Sequence, residues 1–122
     1  MRELRPRFLI LAAIACFAAL HAASAVDSQS AAGAEPGSPV TFTDIIREIV
    51  VSPEGTIFVN FGGKYPKETF AAVVMKETHP RFPDIENWVG KKVLVSGTVS
   101  EFEGHKRVIL RERGQIKLAE SP

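Results

Sequence analysis

Cysteine is almost missing from this chain of 122 residues, with Cys16 the only one. A single thiol cannot build a disulfide framework, and three histidines do not make up a cysteine-rich zinc site. An excess of one charge is missing too, since 15 basic side chains face 14 acidic ones. Bulk electrostatics therefore does not draw the chain to polyanions, and any basic surface has to be local. Long apolar runs are also lacking. The longest, residues 8–20, has 13 residues, where about 20 are needed to cross a bilayer.

That run fits an export signal. Arg2, Arg5 and Arg7 precede it, and Ala23-Ser24-Ala25 supplies a small-x-small cleavage pattern. The expectation is a signal peptide over 1–25, cut after Ala25, with a periplasmic or secreted product and no stable membrane insertion. A lipoprotein signal ending at Cys16 is the lesser alternative, because Ala13 stands where a lipobox usually has Leu. Cleavage would remove the thiol and leave 97 residues with 12 basic and 13 acidic side chains. That length suits one small domain.

Residues 26–39 are mostly Ala, Ser, Gly and Pro, and predict a disordered linker. The folded domain is expected over 40–119, with a flexible tail at 120–122. Within 45–51, the β-branched Ile45, Ile46, Ile49, Val50 and Val51 predict a strand leading into a Pro53-Glu54-Gly55 turn. The same spacing would also suit an amphipathic helix capped near Thr43 and Asp44.

Residues 56–61 alternate, with Ile57, Val59 and Phe61 on one face and Phe58 and Asn60 on the other. Residues 69–75 are apolar on nearly both faces, which predicts burial on both sides. A Pro-rich connector follows, with Asp84 placed to cap a short helical turn through Trp88 and Gly90 to stop it. Residues 92–99 alternate strictly, and Gly97 within them predicts a bulge or a sharp coil. Glu103-Gly104 predicts a hairpin turn, 106–110 the returning strand, and 115–118 a segment that closes the sheet.

Three strands, a short helix and a hairpin form the order of an all-β, five-stranded OB-fold Greek-key barrel, with the short helix between strands three and four. The runs GTIFVNFGGKYP at 55–66, FAAVV at 70–74, GKKVLVSGTV at 90–99 and FEG at 102–104 carry a further signal. Together they resemble a family of small exported bacterial OB-fold proteins. That family is grouped with the nucleic-acid-binding OB-folds and sometimes occurs beside thermonuclease-type domains. Two features depart from its pattern. Residues 45–51 lack the glycine that usually bends the first strand, and His105-Lys106-Arg107-Val108 stands where Pro-Glu-Ile usually follows the last hairpin turn.

Catalysis finds little support. A thermonuclease-like site needs clustered carboxylates and paired arginines, whereas Glu48, Glu54, Glu68, Asp84, Glu101, Glu103 and the other acids are spread over turns and strand edges. His79 and His105 have no cysteine to join them in a metal site, and no serine lies in a nucleophile motif. The chain reads as non-enzymatic, with no metal and no cofactor.

Binding is the better-supported role. OB-folds hold single strands by stacking bases on aromatic rings beside a basic groove. The candidate ligand-binding residues are Phe58, Asn60, Lys64, Tyr65, Lys92, His105, Lys106, Arg107, Arg111 and Arg113, the last five within a basic stretch that extends to Leu118. The expected partner is single-stranded nucleic acid or a similar polyanion. The alternative is a cell-envelope module that binds a protein or an oligosaccharide.

Overall fold

The computed structural model describes residues 26–119, so the expected signal peptide, Cys16 and the 120–122 tail lie outside the described residues. The elements run α1 (Ser28–Ala32), β1 (Pro39–Val51), β2 (Ile57–Phe61), β3 (Phe70–Val74), β4 (Lys92–Phe102), β5 (His105–Leu110) and β6 (Ile116–Leu118). Short 3-10 helices stand at Lys76–Arg81, Ile85–Asn87 and Arg113–Gln115.

The strands hydrogen-bond in the order β1-β2-β3-β5-β4, and β1 closes the circuit by pairing with β4. This is a closed five-stranded barrel of OB-fold topology, with the connector between strands three and four where the fold requires it. β6 is a sixth strand that extends β4 along Val93–Val95.

Closure depends on β1 serving two sheets. Its first half, Pro39 to Ile45, pairs with β4, and its second half, Ile46 to Val51, pairs with β2. The change of partner needs a bend. The register skips between Ile46 and Glu48, which leaves Arg47 as the extra residue of a bulge. A bulge increases local twist and bends the strand, so it does the work of the glycine that residues 45–51 lack. The β-branched residues thus form a strand, not the amphipathic helix that their spacing also allowed.

Gly97 solves a second steric problem. The pairing of β4 runs without a register shift on both sides of it, so Gly97 marks no bulge. A β-carbon at this position would overlap Val108 Cγ1 on β5 and lie 3.0 Å from Gln115 Nε2. Glycine is there because two strands approach each other closely.

Alternation fills the interior. Phe42, Ile46, Ile57, Val59, Phe61, Phe70, Ala72, Val74, Val93, Val95, Val99, Val108 and Leu110 all face inward. Phe42 is 1% exposed and meets Phe61 and Phe70 edge-on, at centroid distances of 5.1 and 5.2 Å. β3 is buried throughout, as its two-sided apolar pattern requires. The connector contains two short 3-10 helices, and Phe82 and Ile85 from it reach the core. Asp84 makes no side-chain cap, and Trp88 packs only against the edge of the cluster.

The disordered linker expected over 26–39 is corrected here. Asp27 caps α1 by accepting from the Ser30 N–H at 3.0 Å, and Ser28 donates to Asp44 Oδ2 at 2.6 Å. Ala31 is buried in the core cluster. Lys106 Nζ donates to the carbonyls of Ala32 and Ala34, both at 2.8 Å. The segment carries too little apolar surface to order itself, and its order comes from distant residues. Lys106, at the start of β5, holds α1. Arg81 Nη1 donates to the Arg111 carbonyl at 2.7 Å, just past the end of β5. The helix and the connector therefore cover opposite ends of the barrel.

Candidate functional site

The outward faces of β1, β2, β3 and β5 form a groove of about 390 Å³, lined by Glu48, Val50, Phe58, Asn60, Tyr65, Glu68, Ala71, Phe102, Glu103, His105 and Arg107. Each strand contributes through the period of two. Phe58 and Asn60 stand opposite the buried Ile57, Val59 and Phe61. His105 and Arg107 stand opposite Val108 and Leu110. The β4–β5 turn is a tight two-residue connection with positive φ at Glu103 (51°) and Gly104 (83°). It sets Phe102 directly across from His105.

Arg107 is the centre of the groove. Its guanidinium carbon lies 4.9 Å from the Phe102 ring centroid and 5.7 Å from that of Phe58. Both distances are within the range of cation–π attraction. Tyr65, 67% exposed, stacks on His105 at 5.6 Å with 26° between the rings. His105 Nδ1 meets Glu68 Oε2 at 2.5 Å, and the Glu68 side chain is only 4% exposed.

The β2–β3 loop is tied down by Glu48, whose Oε1 accepts from the Tyr65 N–H at 3.0 Å and from Asn60 Nδ2 at 2.9 Å. The Tyr65 N–H first, then the Asn60 amide and the Lys64 charge, hold the Glu48 carboxyl below its ordinary value of 4.5, against an opposing desolvation. A carboxyl depressed in the folded state stabilises the fold fully above its unfolded pKa. That contribution is lost as pH falls through the lower, folded value. The Tyr65 amide should therefore keep its hydrogen-bonded NMR shift at pH 5 and lose it only on acidification below the ordinary glutamate range. In Glu48→Gln the acid transition should be absent.

Five of the ten sequence candidates meet in this groove: Phe58, Asn60, Tyr65, His105 and Arg107. Asn60 does so without a free amide, being 3% exposed and bonded to Glu48. Lys64 is exposed in the adjoining loop and does not line the groove. Lys92 is exposed at the start of β4, where it pairs with Ile45 of β1.

The other basic residues do not form one strip. Lys106 lies on the same side of β5 as Val108 and Leu110, and its ammonium is occupied by α1. Arg111 and Arg113 are exposed beyond the end of β5, and the chain then turns into β6. Arg113 lines a separate depression with Arg81, Trp88 and Lys117. Alternation along β5 and the turn at Arg113–Gln115 split the basic run three ways.

The groove also contains residues that sequence reasoning did not select: Phe102, Glu48, Glu68 and Glu103. The acids expected to be scattered are here partly gathered, three of them lining the same groove as Arg107. The signal for Phe102 was available, because a two-residue turn at Glu103-Gly104 puts residue 102 opposite His105. Glu48 and Glu68 carried no such signal. Among the described residues no group of three His, Cys, Asp or Glu side chains is placed to hold a metal ion. No described helix is long and apolar enough to cross a membrane.

No family model matches the chain, and no curated protein matches it. Among solved structures, the Stn1–Ten1 complex of S. pombe is similar over 80% of this chain and 76% of that one, with 13% identity and a TM-score of 0.43. An asparaginyl-tRNA synthetase of Entamoeba histolytica is similar over 80% of this chain, with 22% identity and a TM-score of 0.49. The matched region is 24% of the synthetase's length.

Proposed function

We propose that this chain is an exported, non-enzymatic OB-fold module that takes single-stranded nucleic acid into the groove with the bases turned inward. One observation carries the reading: Phe58, Tyr65 and Phe102 share one outward-facing groove, with Arg107 set over two of the three rings. Stacking of a base on such rings contributes about 1–3 kcal/mol each and accepts any base, since every base has a π-face. Export is supported by the charged, apolar and small-residue order of residues 1–25.

The charges define the mode of binding. Three carboxylates and one guanidinium make a poor track for phosphates, so the backbone belongs at the rim, where Lys64 and Lys67 are exposed. Few phosphates are then neutralised. With one or two such contacts, the logarithm of affinity should fall with the logarithm of salt at a slope of about −0.7 to −1.4. Titration of a labelled oligonucleotide at several salt concentrations measures this. Tyr65→Ala and Phe58→Ala should each weaken binding by about fivefold or more. Unchanged affinity in both variants would reject the groove as the site.

A second reading follows from Glu48, Glu68 and Glu103. A groove edged by three carboxylates also suits a basic peptide segment, which makes the chain a protein-interaction module. Titration with a Lys- and Arg-rich peptide separates the two, because only this reading expects the peptide to bind and the oligonucleotide to fail.

A further inference from the structure

Among the described residues, β6 is the strand that pairs on one side only. The Ala119 N–H donates to the Lys92 carbonyl at 2.9 Å, and Lys117 stands opposite Leu94. An antiparallel ladder alternates pairs that face each other with pairs turned outward, so the N–H and carbonyl of Leu118 and the Ile116 carbonyl point away from β4. None of these three groups takes part in a turn or loop hydrogen bond among the described residues. The open edge borders the depression of about 520 Å³ that β6 shares with the connector, and no β4 residue lines it. Its floor is apolar. Phe82, Ile85 and Ile116 are buried there and Trp88 is half-buried, while Leu118, on the same side of β6 as Ile116, is 45% exposed. Its rim is one-sided in charge, with the exposed Arg81, Arg113 and Lys117 against Asp84 alone.

We propose that this edge takes up an extended acidic peptide segment of a partner protein as a further strand, with an apolar side chain of that segment lying in the depression beside Trp88. The site shares no lining residue with the groove and is independent of the reading given for it. Three properties of the edge select such an occupant. Leu118 presents a donor and an acceptor together, and the Ile116 carbonyl needs a donor. A peptide backbone supplies both kinds of group, whereas a phosphate backbone supplies acceptors alone. The period of two sends every second side chain of an added strand to the side on which Leu118 and the apolar floor lie, and the others to the opposite side. The three basic side chains then favour carboxylates on the segment and repel a basic one, and such repulsion is as much a part of specificity as attraction. With only three residues in β6, main-chain pairing alone is a small contribution, so the charges and the apolar contact have to supply the rest.

Trp88 is the only tryptophan of the chain, so its emission reports on this site. The test is a fluorescence titration of the intact purified chain at low salt with a short tryptophan-free peptide of alternating Glu and Val, and with its Lys and Val counterpart. The Glu peptide is expected to shift the Trp88 emission saturably and the Lys peptide to leave it unchanged. Arg113→Glu combined with Lys117→Glu, both at exposed positions, should weaken the Glu peptide about tenfold, and Tyr65→Ala in the groove should not alter it. In amide NMR spectra of the complex, the Leu118 N–H should gain protection from exchange, while that of Lys117, already facing β4, should not. No response of the unsubstituted chain to the Glu peptide overturns the proposal without any variant having to fold. An equal response to the Lys peptide overturns it, as does an affinity unmoved by the double charge reversal or a Leu118 amide left unprotected. An oligonucleotide that shifts the Trp88 emission where the Glu peptide does not would assign the depression to nucleic acid and overturn it too.

Discussion

Phe42→Ala is expected to destabilise the domain by about 3–5 kcal/mol, the range for emptying a fully buried phenylalanine site. Phe42 sits where β1 still pairs with β4, opposite Val95, and its ring meets Phe61 of β2 and Phe70 of β3 edge-on. Truncation removes apolar area and also two oriented ring pairs, each contributing about 0.5–1.5 kcal/mol. The cavity would border three strands whose hydrogen-bond ladders resist collapse, which puts the loss toward the upper end. For a domain of this size each kcal/mol shifts the midpoint by about 4–8 °C. Thermal unfolding followed by far-UV circular dichroism should therefore show a fall of well over 10 °C. A shift of only a few degrees would mean that the barrel core is not built around this ring.

Gly97→Val should be nearly as harmful for the opposite reason. The new side chain adds volume where β4 and β5 are already in contact, and its first carbon overlaps Val108 Cγ1. Val108 is buried and β-branched, so it has little freedom to rotate away. The second neighbour, Gln115, has no slack either. Its amide donates to the Ser96 and Ile109 carbonyls, at 3.2 and 3.3 Å, and its oxygen accepts from the Arg111 and Glu112 N–H groups. Overpacking typically costs about 1–3 kcal/mol, and a clash that also displaces this knot belongs at about 3 kcal/mol. Urea unfolding measures it. Gly104→Ala is the comparison: nothing lies within 4 Å of a β-carbon there, so only the backbone strain of its positive φ is added.

The parts of this fold that were legible in the sequence are those in which local pattern and tertiary role agree. Residues 57–61, 70–74 and 92–99 alternate, or are apolar on both faces, and the barrel buries them accordingly. Where long-range contacts decide, the pattern was silent. Pro39, Val40 and Thr41 belong to β1 because Thr98, Gly97 and Ser96 lie beside them, not because their own sequence is strand-like. α1 is ordered by Asp44 and by Lys106, which is more than 70 positions away.

The site divides along the same line. Phe58, Tyr65, His105 and Arg107 follow from alternation and from a single aromatic loop. Lys106 was grouped with them by proximity in sequence, although its place between His105 and Arg107 puts it on the other side of the strand. Glu48 reaches Asn60 through the bulged register of β1 on β2, and Glu68 reaches His105 beside the parallel pairing of β3 with β5, and no spacing announces either.

The divided pairing of β1 also bears on how the chain reaches this state. Its second half meets β2 across one short turn, whereas its first half waits for residues 92–98, which are made dozens of residues later. During synthesis the Pro39 to Ile45 segment has no strand partner until most of the domain exists. Contacts of such sequence separation slow folding, because loop-closure entropy is lost before any contact compensates for it. Closing this barrel therefore means joining its earliest strand to one of its latest, across a wider gap in sequence than the β1–β2 pairing spans. The groove lies apart from that seam, because its strands are joined by the β1–β2, β2–β3, β3–β5 and β4–β5 pairings and none of its lining residues belongs to the seam.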